Sequence, residues 1–116
     1  MLLPLIGPRL HGWLDDLVVL LYVLGALLVP LHGAALAVGL AGAAVHFLLT
    51  RFTNYPQGTF KVIPFRTHAF IELAEGIAVA VAALALLTSQ PLAARGFLVA
   101  MGLSQLGAFS FSNYGD

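Results

Sequence analysis

The chain has 116 residues, of which 60% are hydrophobic and 9% charged, with a formal net charge of zero. Soluble domains average roughly 45–50% apolar and about 25% charged residues, so this composition excludes an ordinary water-soluble fold and places the chain in a lipid bilayer. The basic residues are scattered, which leaves no surface for nucleic acid. With no cysteine there is neither a disulfide framework nor a thiolate ligand, so any metal must be held by His, carboxylate or backbone groups.

Residues 1–8 are apolar but broken by Pro4, Gly7 and Pro8, which predicts a short interfacial lead-in with Pro8 near the first helical turn. A first span is predicted from about Leu10 to Val29, just long enough at 1.5 Å per residue to cross a hydrocarbon core of about 30 Å. Asp15 and Asp16 interrupt its start, only one Arg precedes it and no small-residue cleavage site follows, so the segment is expected to stay in the mature protein rather than act as a signal peptide. Pro30-Leu31-His32-Gly33 reads as a tight turn, with His32 solvated. A second span over about Ala34 to Thr50 carries Ala35, Gly39 and Ala43 at intervals of four, a small-residue face that lets helix backbones approach closely in lipid. Residues 51–66 hold the one sizeable loop, with Tyr55, Phe60 and Phe65 expected at the headgroup level. The third span is predicted from about Thr67 to Leu87 and the fourth from about Ala94 to Phe111. Trp13 and Tyr22 read as interface anchors or packing, and Asn54 and Asn113 as helix C-terminal caps in the left-handed conformation.

Arg9, His11 and Asp15 recur 57 residues later as Arg66, His68 and Glu72. Phe52-Thr53-Asn54-Tyr55 recurs as Phe111-Ser112-Asn113-Tyr114, and Pro30-Leu31 as Pro91-Leu92, in the same order. The chain therefore reads as one transmembrane domain, residues 1–116, made of two copies of a helical hairpin, about 4–58 and about 61–116. The predicted fold is an all-α integral membrane four-helix bundle. Because each copy has an even number of spans, the copies are parallel repeats related by a pseudo-twofold axis along the membrane normal. Arg9, Arg51, Lys61 and Arg66 flank one side and only Arg95 the other, so the positive-inside rule puts both termini in the cytoplasm. The same four basic residues are candidates for contact with lipid headgroups.

On that topology the ionisable residues gather at one depth. His11 and Asp15 share a face of the first helix, His68 and Glu72 a face of the third, with Glu75 a turn further on, and His46 lies near the end of the second. The 59-residue offset puts Gln105 in the place of His46. Three uses are open to this set. It can offset helix dipoles in the first turns or glue helices together, with Ala35, Gly39 and Ala43 packing the chain against itself, in a homo-oligomer or in a larger membrane complex. It can hold a transition metal such as Zn or Fe, or a haem-like pigment, on His11, Asp15, His46, His68 and Glu72. As a small channel or carrier it can pass ions or protons. The first, non-enzymatic use is the leading expectation from composition, and there is no nucleophile motif to suggest an enzyme.

The segments Arg9-Leu10-His11-Gly12-Trp13-Leu14-Asp15, Asn54-Tyr55-Pro56-Gln57-Gly58 and Lys61-Val62-Ile63-Pro64 through His68 resemble the SPW repeat family of small bacterial membrane proteins. The resemblance implies two repeats, four spans, a His-carboxylate pair per repeat and a bacterial inner-membrane location, and it points to no particular activity. The Ser-Pro-Trp tripeptide itself is replaced by Val29-Pro30-Leu31 and Gln90-Pro91-Leu92, and Glu72 stands where the family pattern has Asp.

Overall fold

A computed structural model describes residues 4–114; the first three residues of the predicted lead-in and the last two of the chain lie outside the described residues. The chain forms four helices, α1 (Pro8–Leu28), α2 (Gly33–Phe52), α3 (Phe65–Leu86) and α4 (Leu92–Phe111), each long and apolar enough to cross a membrane. Pro8 occupies the first turn of α1, where its missing N–H costs nothing. The α1–α2 turn is closed by Gly33 at φ +52°, in the left-handed region that other residues enter at a cost. The last turn of α3, Ala82–Leu86, widens to a π-helix, and Arg95 of α4 caps it by donating from Nε and Nη2 to the carbonyls of Ala83 and Leu84 at 2.9 and 3.1 Å.

Each helix buries one stripe at alternating spacings of about four and three, the narrow seam of helices that pack side by side. On α1 it is His11, Asp15, Val18, Tyr22 and Gly25, and on α2 it is Ala35, Gly39, Gly42, His46 and Leu49. On α3 it includes His68, Glu72, Gly76 and Val79, and on α4 Ala94, Leu98, Met101 and Gln105. The apolar parts of these stripes form one core around Tyr22, Ala35, Ala83 and Leu98, and the polar parts all lie toward one end. Leu, Val, Phe and Ile side chains stay exposed along the outer faces of all four helices, which suits contact with lipid tails rather than water. Ala35, Gly39 and Ala43 are buried within the chain: a Cβ on Gly39 would meet Leu31 and Leu98. The broadest packing is α1 on α2 and α3 on α4.

At the polar end the helices are joined by short extended pairings. Leu5 and Ile6 donate from their backbone nitrogens to Phe111 O, and Asn113 N to Ile6 O; Val62 and Ile63 likewise donate to Phe52 O, and Asn54 N to Ile63 O. These pairings overturn the expected role of Asn54 and Asn113. The C-cap residues are Thr53 and Ser112, in extended conformation, and Lys61 is the one described non-glycine residue with positive φ. A chain that leaves the helix straight into a strand-like pairing has its backbone groups satisfied there and needs no left-handed cap.

Candidate metal centre

His11, Asp15, His46, His68 and Glu72 all converge inside the polar end, each at most 1% exposed. Asp15 and Glu72 are each the eighth residue of their helix, so neither helix has a carboxylate in its first turn. The expected dipole role therefore fails, because that effect fades beyond the terminal turn.

Four of the five residues offer atoms to a common point: one from each of His11, Asp15, His68 and Glu72, all within 4.8 Å of one another. His11 Nε2 lies 3.2 Å from His68 Nε2, 3.2 Å from Glu72 Oε2 and 3.4 Å from Asp15 Oδ1. His68 Nε2 lies 3.1 Å from Asp15 Oδ2 and 3.4 Å from Glu72 Oε2. With metal–ligand bonds of about 2.0–2.1 Å, the edges of a tetrahedral ligand set are about 3.3 Å.

The surrounding hydroxyls orient these ligands. Thr53 Oγ1 donates its one proton to Leu49 O at 2.6 Å, so in its 2.8 Å contact with His68 Nδ1 it must accept from the ring N–H. In the neutral ring that leaves the Nε2 lone pair facing the cluster. His11 Nδ1 has a matching hydroxyl behind it, Ser112 Oγ at 2.6 Å. Tyr55 donates to Asp15 Oδ2 at 2.7 Å, and Tyr114 to Glu72 Oε1 at 3.4 Å. Burial, reinforced by the nearby Asp15 charge, raises the Tyr55 phenol above its ordinary value of 10, and burial beside Glu72 does the same for Tyr114. Both therefore remain donors.

His46 stands beside the four rather than among them. Its Nε2 approaches the carboxylates of the cluster, 3.0 Å from Asp15 Oδ1 and 3.9 Å from Glu72 Oε2, while its Nδ1 is turned away to Glu75 Oε2 at 2.9 Å. Gln105 Nε2 also donates to Glu75 Oε2, and Tyr22 donates to Gln105 Oε1 at 2.6 Å. Tyr22 is thus a buried member of this network and not an interface anchor; its hydroxyl found a partner that only the packed helices supply. Tyr55, expected at the headgroups, is 3% exposed for the same reason, and Phe65 packs edge-on against His11. Trp13, at 63%, does face outward.

Of the basic residues, Arg9 and Arg66 are exposed, Arg51 pairs with Asp16 at 2.7 Å, and Lys61 Nζ donates to Tyr55 O at 2.6 Å. The sequence reading missed Thr53, Ser112, Tyr55 and Tyr114 as parts of the site. Their signal was present: the recurrence of Phe52–Tyr55 as Phe111–Tyr114 keeps a hydroxyl at the second and fourth positions. Comparison with protein-family models, curated proteins and solved structures finds no match to this chain.

Proposed function

We propose that this is a multi-pass membrane protein that binds one divalent first-row transition ion, Zn²⁺ or Fe²⁺, through His11, Asp15, His68 and Glu72. The observation that carries the reading is the 3.2 Å approach of the two Nε2 atoms, with carboxylate oxygens at 3.1–3.4 Å. Two imidazolium rings would aim N–H groups at each other across that gap, whereas two neutral rings and two carboxylates around a divalent cation leave no charge uncompensated. The hydroxyls behind both rings supply the outer hydrogen bonds that metal-bound His requires. A haem-like pigment fits poorly, since Nε2 atoms 3.2 Å apart leave no room for a macrocycle between them. A metal role thus displaces helix gluing alone as the leading reading.

The finer architecture belongs to the same proposal. The two copies, residues 4–58 and 61–116 of a single domain, form a parallel-repeat bundle in a bacterial inner membrane, with both termini cytoplasmic, as a divergent relative of the SPW repeat proteins. Three matched sets of contacts support the duplication: His11–Ser112 with His68–Thr53, Asp15–Tyr55 with Glu72–Tyr114, and the pairing at Ile6 with that at Ile63. Arg9 and Arg66 meet lipid headgroups at that face. A homo-oligomer or larger complex would form through the outer faces, because the Ala35, Gly39 and Ala43 face is spent within the chain.

The test is elemental analysis and an absorption spectrum on protein purified gently from membranes, beside His11→Ala/His68→Ala. The expected result is near-stoichiometric metal in the wild type and loss of most of it in the double variant. Bare protein in both samples, with no uptake of added Zn²⁺ or Fe²⁺, overturns the proposal and returns the pairs to a packing role.

A further inference from the structure

Glu75 belongs to neither of the two matching His–carboxylate pairs, since the residue 57 positions before it is Val18. Its carboxylate is 7% exposed, and its two oxygens are treated unequally. Oε2 receives His46 Nδ1 and Gln105 Nε2 from the interior, while Oε1 is buried without a hydrogen-bond partner. A carboxylate oxygen left unpaired at the depth of lipid tails is costly, and buried polar atoms as a rule find a donor.

The residue lines a groove of about 470 Å³ between α2 and α3, where every other lining residue is Val, Ile, Ala or Gly. That volume falls in the usual range of small-molecule sites, about 300–1,000 Å³, and one polar group in an apolar cleft is how such sites fix orientation. His46 Nδ1 and Gln105 Nε2 already face Oε2, so only Oε1 is left to take a donor, and the otherwise apolar walls of the groove favour a neutral one. Turning Oε1 toward the groove moves Oε2 as well, so the carboxylate loosens part of its contact with His46 and Gln105 in exchange for the ligand's hydrogen bond. We propose that the α2–α3 groove binds a membrane-soluble molecule that is apolar except for one hydroxyl, with that hydroxyl donating to Glu75 Oε1. Acyl chains of ordinary lipids fill the volume but carry no donor.

The probes are 4-nonylphenol and its methyl ether, which share a body and differ in the donor, offered to the detergent-solubilised full chain and followed by equilibrium dialysis and native mass spectrometry. The expected result is one phenol per chain and binding of the ether weaker by roughly tenfold or more, the worth of a hydrogen bond to a charged group. Glu75→Ala should abolish that preference. Ala78→Leu, on the exposed wall of the groove, should block both probes while leaving the metal ligands untouched. Equal binding of phenol and ether, phenol binding unchanged in Ala78→Leu, or no binding of either probe overturns the proposal. Metal content measured on the same samples separates the two readings: a metal-bearing protein that ignores the phenol overturns this inference alone.

Discussion

His68 can present its Nε2 lone pair because of what happens behind it. Thr53 spends its proton on Leu49 and so can only accept from Nδ1. Thr53→Val removes that acceptor while keeping the shape, and metal affinity, measured by chelator competition, should fall by roughly 10–100-fold, with Thr53→Ser largely restoring it. The two tyrosines behind the carboxylates give a pH signature. Their phenols are raised above the ordinary value of 10, so they favour folding while protonated. Their contribution is complete below about pH 10, where the unfolded phenol would begin to ionise, and is lost progressively as pH rises from there toward the raised folded value. Thermal midpoints in detergent should therefore drop more steeply between about pH 10 and 12 in the wild type than in Tyr55→Phe/Tyr114→Phe.

Among the elements, the α3–α4 pair depends most on small residues. A Cβ on Gly102 would sit 2.7 Å from Gly76 O and 2.9 Å from Ala80 Cβ, and backbone cannot yield as a flexible side chain can. Gly102→Ala should force the helices apart, cost about 1–3 kcal/mol and lower the thermal midpoint. Gly96, on the same helix, has nothing within 4 Å of a Cβ, so Gly96→Ala should be neutral or stabilise by up to about 1 kcal/mol. Between Glu72 and Pro91 the offset between the matching segments grows from 57 to 61 residues. The π-helical turn at Ala82–Leu86 falls within that interval, and Arg95 satisfies two of its carbonyls. A lone charge at the far end of the molecule thus has a local reason.

For the molecule as a whole, the ligands are divided between chain halves, His11 and Asp15 in one and His68 and Glu72 in the other. The outer partners cross over: His11 rests on Ser112 near the C-terminus, and His68 on Thr53 before the long loop. Neither half can complete the site, so residues 1–58 and 59–116 expressed singly should bind no metal. Expressed together they should recover it, measured as metal co-purifying with the paired fragments. Recovery by one half alone would show that the ligand set is not the four residues named here.

The sequence by itself determined the elements and named most of the polar residues. Hydropathy and length set four spans, within about two residues of the helices observed, because a helix crossing hydrocarbon must be apolar over some 20 residues and no local context changes that. Spacing of four put His11 with Asp15 and His68 with Glu72, because helix geometry alone decides which residues share a face. Only the tertiary structure decided that the two faces meet with Nε2 against Nε2, that His46 turns both nitrogens to carboxylates, and that Tyr22 and Tyr55 point inward rather than to the membrane surface. An aromatic residue with a polar tip suits a bilayer interface and a buried hydrogen bond equally well. The choice between them rests on a partner far away in sequence, Gln105 for Tyr22 and Asp15 for Tyr55, and only the packing of the helices brings that partner within reach.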